Sequence, residues 1–597
     1  MSDAVVAATS GAVAGLATLA LHGTRWNFDA LYSDAGFRTE AATRFADSAA
    51  LDDYGYRGLP TYYPPALPWL QGRVADIFGV PAWEVMKPVT LGFAFAVPLL
   101  AYVAWRRVLP EPWAAVMVSV LAFATADLVK PDEWLVLMVV VPWWLELVRG
   151  HLLPGRRPVA WWTHGLVLGA LLLFHTFYFL PLALATVAAL VLDALFGGTC
   201  RLPPVRGLKV AVVGLIVAAP SWVPLAVMKL QGTASDDLQR RWSEPGFTVP
   251  PHPSVTGFIG LLGLLGLVGF AAGGWSSRLP RSMATLLCTA YGFFVVGQLL
   301  QSHGVALLPE KTGALIRYCL VVAGVLAARG FVHTIQSRLP RPAVVLVCTI
   351  GMGAVTAAAS AHYAEHWLLG DPAATALTMR YPNGGYPDGG VPDTKAPHHP
   401  WGVSLASDQP STSQVLAAWR TLTGRPLSSD VVLLSARADI IATTPVHPFT
   451  SWKSIYSHPY GQYEDRVAFL RRVSKCPTPR CAWLRLRHNP FDAIDGAALT
   501  HTRGGLRLSL TSDRFPDGWV IDPVTFDPTL FTQPYFAELT VGDVALIRLA
   551  SRDPAGVLGG HPTRPPGARG LAAAPPDSAR VMWRGLCRTA PLTPPSA

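Results

Sequence analysis

A long polar segment, residues 22–87, carries a dense set of chemically competent side chains. It lies between two apolar runs and is several times longer than the usual connection between two helices. Carboxylates, guanidinium groups and tyrosines alternate along it, so one stretch holds proton acceptors, cations that can balance phosphate charge, and aromatic faces. Such a segment beside a membrane is typical of an active-site element or a lid. We interpret it as the active site.

Asp34 is the best candidate for a general base in this segment. It lies in SDAGFR, with Arg38 four residues later, and on a helix two such residues share a face. This spacing predicts a cation close to the acid. A surface ion pair is the competing interpretation, and Asp29 is the local competitor for the role of base. The pair Asp52 and Asp53 is better explained as a helix cap.

Two cations near the ends of apolar runs are candidates for binding a phosphate group. Arg317 lies a few residues into an apolar run in EKTGALIRYCL, where a charge is costly and therefore suggests a function. Lys87 lies just before another apolar run. For both side chains, snorkelling to the membrane surface is the competing explanation.

Further polar groups flank these candidates. Residues 130–133, which include Asp132, form a second acidic loop that could face the first segment and position an acceptor. These acids permit a divalent metal without requiring one, so we expect no cofactor. Tyr62 and Tyr63, followed by two prolines, are expected to stiffen the segment, and their faces suit stacking on a sugar. His175 is expected to be a satisfied interior or turn histidine rather than a catalyst.

The composition places this chemistry on a membrane scaffold. The chain has 597 residues, of which 51% are hydrophobic and 14% charged, and its mean hydropathy is +0.34. Soluble domains carry about 25% charged residues. We expect a polytopic α-helical membrane protein with about eleven spans, at residues 4–21, 88–105, 111–128, 133–149, 158–174, 176–196, 209–229, 254–274, 282–301, 313–331 and 342–361.

The distribution of basic residues predicts the orientation. Arginines and lysines concentrate in alternate loops, which places those loops in the cytoplasm. The active-site loop 22–87 and everything after residue 364 then lie outside. The net charge of +10 is explained by these short loops, and no clustered basic motif of a nucleic-acid-binding fold occurs. We therefore expect membrane lipid as a partner and no nucleic acid.

The remainder of the chain predicts a separate outer domain. We expect a transmembrane catalytic domain at 1–364, an extracytoplasmic α/β domain at 365–553 and a disordered tail at 554–597. Within the outer domain, residues 431–436, 438–444 and 544–550 have the pattern of strands, and 413–424 and 464–476 that of helices. Cys476 and Cys481 could close a small disulfide loop if this domain faces an oxidising compartment.

These segments also carry a family resemblance. The stretch DAGFRTEAATRFADSAALDDYGYRGLPTYYPP (34–65), continued by WLQGRVADIFGVPAWEVMKP (69–88), resembles GT-C glycosyltransferases. More narrowly, it resembles the actinobacterial galactan 5-O-arabinofuranosyltransferases of AftA type. Matching segments follow at 130–134, 220–225 and 315–330, and less tightly at 419–449 and 526–549.

The resemblance implies a specific reaction. The donor would be decaprenyl-phosphoryl-arabinofuranose, and the acceptor would be the lipid-linked galactan of cell-wall arabinogalactan. Transfer would invert the anomeric carbon, with Asp34 at the family's catalytic aspartate position and Arg38 and Tyr63 at matching motif positions. The enzyme would be a multi-pass protein of the plasma membrane with its active site on the extracytoplasmic side.

Three alternatives remain open from the sequence. The chain could transfer another sugar from a polyprenyl phosphate on the same scaffold. It could be a transporter of lipid-linked sugars, although that would favour charges at the bilayer midplane and internal repeats. It could also be a non-catalytic scaffold that binds glycan through its outer domain.

Overall fold

The helices and strands are described from a computed structural model of the chain. It describes all residues except 151–152, 154–156, 197–201, 237–245, 273–277, 306, 337, 339, 379–384, 391–408, 515 and 555–597. Residues Met1–Ser551 form one unit, and Arg552–Ala597 fall in a second. The predicted disordered tail therefore lies almost wholly outside the described residues. A glycine- and proline-rich linker predicted at 380–400 also lies largely outside them.

Fifteen helices lie before residue 379 in the described residues, so the last of them, α15, falls after the predicted domain boundary at residue 365. They are α1 (Ser2–Ala20), α2 (Asp34–Asp47), α3 (Ala66–Phe78), α4 (Ala82–Val108), α5 (Glu111–Ala124), α6 (Pro131–Arg149), α7 (Trp161–Phe174), α8 (Phe179–Phe196), α9 (Pro204–Val217), α10 (Ala219–Leu230), α11 (Phe258–Ala271), α12 (Arg278–Gln301), α13 (Pro309–Gln336), α14 (Arg341–Trp367) and α15 (Asp371–Thr378).

Each predicted span coincides with a helix, or, at 209–229, with the pair α9 and α10. Within the described residues, five helices are long and apolar enough to cross a membrane, namely α1, α4, α8, α12 and α13. The pair α9 and α10, bent by 85°, makes a sixth, and α5, α7 and α11 are shorter apolar helices. Large apolar side chains such as Leu195 (68% exposed) and Phe196 (77%) face outward. Exposed apolar surface on that scale suits contact with lipid. A count of eleven spans stays a prediction.

The domain that follows residue 408, called the outer domain after its predicted location, combines helices with a seven-stranded sheet. Its helices are α16 (Thr412–Thr423), α17 (Ala438–Thr443), α18 (Tyr463–Val473) and α19 (Pro479–Arg487), and its strands are β1 (Val432–Ser435), β2 (His447–Pro448), β3 (Gly496–Thr502), β4 (Gly505–Arg514), β5 (Gly518–Phe526), β6 (Phe536–Val541) and β7 (Val544–Leu549). Strand β1 pairs in parallel with β2 and β3, and β3 pairs antiparallel with β4 and β7. Strands β5 and β6 extend the sheet beside β4 and β7. This confirms the predicted α/β domain.

One prediction in this domain is wrong. Residues 438–444 form the short helix α17 rather than a strand. Ile440, Ile441 and Ala442 are buried, so the apolar run fills the core as a helical turn. A short apolar run of this kind does not distinguish a strand from a buried helix by its periodicity. The predicted helices at 413–424 and 464–476 are confirmed as α16 and α18. The sulfur atoms of Cys476 and Cys481, for which a disulfide was predicted as an option, are buried and lie 2.7 Å apart.

The polar segment 22–87 packs directly against the outer domain. It contains α2 and α3, and its side chains bond backbone groups more than 350 residues away. Thr43 donates a hydrogen bond to the carbonyl of Ala442 (2.6 Å), and the Tyr54 hydroxyl donates one to the carbonyl of Tyr456 (2.6 Å). Buried hydrogen bonds of this kind fix the segment, because breaking them leaves polar groups unsatisfied. The segment is therefore a folded element that packs against the sheet domain.

Candidate active site

Asp34 is the first residue of α2 and follows a strained stretch of backbone. Asp29, Ala30 and Ser33 all have positive φ angles, of 62°, 48° and 50°, although none is glycine. Such conformations are costly and persist only where the surrounding structure enforces them, often at functional sites. Gly36 fits the same tight turn, since a Cβ there would lie 2.7 Å from the carbonyl oxygen of Leu31. This strained backbone fixes the position of the Asp34 carboxylate.

Both carboxylate oxygens of Asp34 have partners from other parts of the fold. Nζ of Lys130 lies 2.6 Å from Oδ2, and the Tyr456 hydroxyl donates a 2.8 Å hydrogen bond to Oδ1. Burial would raise the pKa of Asp34, but the positive charges of Lys130 and Lys311 outweigh it and hold the pKa below its usual range. The position in the first turn of a helix favours the anion as well. Asp34 is therefore ionised at neutral pH.

Asp34 borders a cavity of about 630 Å³. Its charged lining consists of three cations and five acids, namely Lys130, Lys311, Arg317, Asp29, Asp34, Asp127, Glu133 and Glu310. Arg317 is exposed and, within the described residues, has no hydrogen-bond or ion-pair partner. Other lining residues are apolar or aromatic, namely Phe123, Trp134, Leu137, Ile259, Tyr363 and Trp367. Cationic groups beside an apolar wall suit a ligand with an anionic head and a hydrocarbon chain.

Arg38 and Asp132 lie behind the cavity wall rather than in it. The Arg38 guanidinium donates to Oδ1 of Asp132 (2.5 Å), to Oε1 of Glu133 (3.0 Å) and to the hydroxyl of Tyr63 (2.7 Å). The Arg38 side chain is only 2% exposed, and that of Asp132 is fully buried. Lys311 completes the network, with Nζ 2.6 Å from Oε2 of Glu133. This network joins α2, α6 and α13 behind Asp34, so Arg38 is paired with α6 and not with the acid four residues before it.

Two further residues predicted to bind substrate lie away from the cavity. Lys87 donates hydrogen bonds to the carbonyl oxygens of Leu21 (2.8 Å) and Thr24 (2.7 Å), where it ties the end of α1 to α4. The Tyr62 hydroxyl bonds that of Tyr54 at 2.7 Å, and its ring packs edge-on against His458. The structure thus gives both residues contacts that hold the polar segment in place.

The structure also shows the surroundings of Asp29 and Asp53, the other acids considered in the polar segment. Asp29 lines the cavity, and burial, with the nearby negative charge of Asp127, raises its pKa to about 6. The prediction that Asp53 caps a helix is wrong. Its carboxylate accepts hydrogen bonds from the backbone N–H groups of Gly55 (3.0 Å) and Tyr56 (2.7 Å), which closes a turn, and burial raises its pKa to about 7.

His175 is an interior residue, as predicted, but it is not hydrogen-bonded. Its ring is buried and packs against Tyr178 at 5.0 Å between centroids. Neither ring nitrogen has a hydrogen-bond partner among the described residues. The ring interacts electrostatically with Glu133 and Lys311 but forms no hydrogen bond with either of them.

The sequence did not single out several residues that complete the site. Tyr456 comes from the outer domain, and Lys311, His362 and His366 come from α13 and α14. The only local signal was the composition of residues 450–463, which are rich in aromatic and hydroxyl groups between predicted elements, much like the first segment. In the part of the chain that the structure describes, no three His, Cys, Asp or Glu side chains are grouped so as to hold a metal ion.

Two models of known families match most of the chain. A model described as "Arabinofuranosyltransferase N terminal" matches residues 2–360. A second, described as "Arabinofuranosyltransferase A C terminal", matches residues 405–548. The two matches cover the helical part that carries Asp34 and the sheet domain that carries Tyr456.

Similar proteins are known from mycobacteria. The galactan 5-O-arabinofuranosyltransferase of Mycobacterium leprae is 27% identical over 88% of this chain and 83% of its own length. That of Mycobacterium tuberculosis strain H37Rv is 27% identical over 87% of this chain and 80% of its own length. Among solved structures, the oligosaccharyltransferase of Archaeoglobus fulgidus in the apo form aligns with a TM-score of 0.43 at 12% identity, over 84% of this chain and 69% of its own.

The buried network predicts that Arg38→Gln destabilises the protein by about 3–5 kcal/mol, because Asp132 loses the cation that compensates its buried charge. Thermal unfolding of the purified protein in detergent measures this. Arg57→Gln is the matched control, since Arg57 is exposed and, among the described residues, donates a hydrogen bond only to the Ser429 carbonyl. An equal melting temperature for both variants would contradict a charge network that fastens α2 to α6.

Proposed function

Because the chain belongs to the arabinofuranosyltransferase A family, we propose that it is an inverting galactan 5-O-arabinofuranosyltransferase that uses decaprenyl-phosphoryl-arabinofuranose. The chain is a glycosyltransferase, as are the curated relatives it matches. The observation that carries the proposal is the ionised carboxylate of Asp34 on the border of a cavity that also receives Lys130, Lys311 and Arg317.

The proposed reaction is a single displacement at the anomeric carbon. A galactan hydroxyl oxygen attacks that carbon, and the bond from the carbon to the phosphate oxygen breaks. The hydroxyl proton passes to Asp34, which acts as a general base. One base and no covalent sugar–enzyme intermediate are what inversion requires. Asp34 still has free lone pairs for the proton, because a carboxylate can accept about four hydrogen bonds and the Lys130 and Tyr456 contacts occupy two.

Cationic side chains are proposed to stabilise the departing prenyl phosphate. Arg317 is the strongest candidate, because it is exposed in the cavity and no described acid pairs with it. Lys311 and Lys130 lie nearby, and each is held in a fixed position by a carboxylate, so their ammonium groups are preorganised as donors to the departing phosphate. We propose that these groups serve without a cofactor. The aromatic and apolar wall formed by residues such as Trp134 and Ile259 would receive the prenyl chain.

The proposed location is the plasma membrane, with the cavity on the extracytoplasmic side. Loops that the basic-residue count places outside supply much of the cavity's polar lining, including Asp29, Lys130 and Lys311. Their convergence on one face supports a common orientation, and the sheet domain packs on that same face through Tyr456. A lipid-linked donor and acceptor would meet there at the membrane surface.

Asp34→Asn is expected to lower kcat for transfer by about 10²–10⁴-fold, the usual contribution of a general base, with little change in donor KM. Transfer from a synthetic prenyl-phosphoryl arabinofuranose to a galactan fragment in membranes measures it. Asp29→Asn is the matched control, because Asp29 lines the same cavity without bonding Lys130. A larger loss with Asp29→Asn, or normal turnover of Asp34→Asn, would remove Asp34 as the base.

Lys130→Gln is expected to shift the acid limb of the pH–rate profile to higher pH. Lys130 stabilises the ionised form of Asp34 and lowers its pKa. Without that charge the pKa rises, and protonated, inactive Asp34 appears at a higher pH than in the wild type. Lys130→Arg keeps the charge and should leave the limb in place. An acid limb that does not move in Lys130→Gln would mean that the limb reports another group.

Arg317→Ala is expected to raise donor KM about ten- to a hundredfold, since a hydrogen bond to a charged group contributes about 1.5–3 kcal/mol. Acceptor KM should change little. Steady-state kinetics with varied donor concentration test this. Arg329→Ala, near the other end of α13 and outside the cavity, is the control. Unchanged donor kinetics in Arg317→Ala would contradict a phosphate contact.

A further inference from the structure

A second cavity, of about 420 Å³, lies between the polar segment and the outer domain. No step of the proposed reaction uses it. The polar segment contributes Tyr32 and Ser33 to its lining, and the outer domain contributes Trp452, Lys453 and Trp519. Its size is within the usual range of about 300–1,000 Å³ for ligand sites.

The two cavities meet beside the proposed base. Tyr32 and Ser33 line both of them, and Ser33 immediately precedes Asp34. The contact continues through the outer domain, since the Tyr456 ring packs 4.9 Å from that of Trp452 while its hydroxyl donates to Asp34. A ligand in the second cavity would therefore lie next to Asp34.

The lining has the chemistry of a carbohydrate site. Trp519 is 62% exposed and Tyr32 is 47% exposed, although both carry large aromatic faces. Trp452 is half-buried beside them. Aromatic faces combined with a few fixed polar groups give affinity and orientation to a ligand that is apolar on one side and polar on the other. A sugar ring, with C–H groups on its faces and hydroxyls at its rim, matches that description.

The charges in this cavity favour a neutral ligand. Arg437 is paired with Asp439 at 2.6 Å, and Lys453 lies 3.5 Å from Asp513. Both cations that the structure describes in the lining are thus balanced by acids. The first cavity differs, because Arg317 has no described partner there. An anionic lipid head group would therefore favour the first cavity, and a neutral glycan the second.

We propose that this second cavity binds the galactan acceptor through sugar residues that precede the one carrying the reacting hydroxyl. This assignment rests on the proposed function and adds to it the place where the acceptor chain lies. Trp519, at the start of β5, and Trp452 form the stacking platform, and the outer domain thereby takes part in acceptor selection. Short acceptors that reach only Asp34 do not use the platform, whereas long ones do.

The test compares galactan fragments of different length as acceptors. In Trp519→Ala, acceptor KM for a fragment of about eight sugars rises three- to tenfold, the effect of about 0.5–1.5 kcal/mol from one aromatic contact. The KM for a disaccharide acceptor and the KM for the donor stay as in the wild type. Trp519→Phe restores most of the affinity for the long fragment.

Ile521→Ala is the matched control. Ile521 lies two residues further along β5, on the same face of the strand, and is 49% exposed, but it does not line the cavity. Its substitution leaves all three KM values unchanged. Wild-type protein that transfers to no galactan fragment would overturn the proposed function. Two results would overturn the stacking platform and leave the proposed function in place. One is normal transfer by Trp519→Ala with an unchanged KM for the long fragment. The other is an equal rise in KM for the long fragment and the disaccharide.

Discussion

The contact between Asp34 and Lys130 is the interaction on which the rest of the site depends. It keeps a partly buried carboxylate ionised at the border of a cavity, and a carboxylate that burial left neutral could not accept a proton. The strained turn before α2 and the tight approach at Gly36 are explained by the same demand. They fix the first turn of α2 where Lys130 reaches it from the start of α6.

The buried charges behind Asp34 determine how the helices are placed. Arg38 binds α2 to α6 through Asp132 and Glu133, and Lys311 binds α13 to the same Glu133. Buried ion pairs contribute little net stability, because desolvation offsets their attraction, but removing one partner is costly. A network of this kind selects one arrangement of the three helices over others. That arrangement brings Lys130, Lys311 and Arg317 to one cavity.

The outer domain is part of the site rather than an appendage. Tyr456 bonds Asp34 directly, and the backbone of residues 442–456 receives hydrogen bonds from the polar segment. The second family match covers this domain, so both matched regions contribute to the environment of one carboxylate. An acceptor that is recognised between the two regions would connect glycan recognition to the position of the base.

The sequence by itself determined the class of protein, the helical segments and the polar segment that carries Asp34, because apolar runs, basic loops and a long motif are local properties of the chain. It also singled out Asp34 and Arg317 as candidate functional groups, both of which line the first cavity. Only the tertiary structure decided that Arg38 pairs with Asp132 and Glu133 behind the cavity, that Lys87 fastens α1, and that Tyr456, more than 400 residues away, bonds Asp34. Spacing along a helix fixes which residues share a face, but the packing of distant segments decides which charge each face meets.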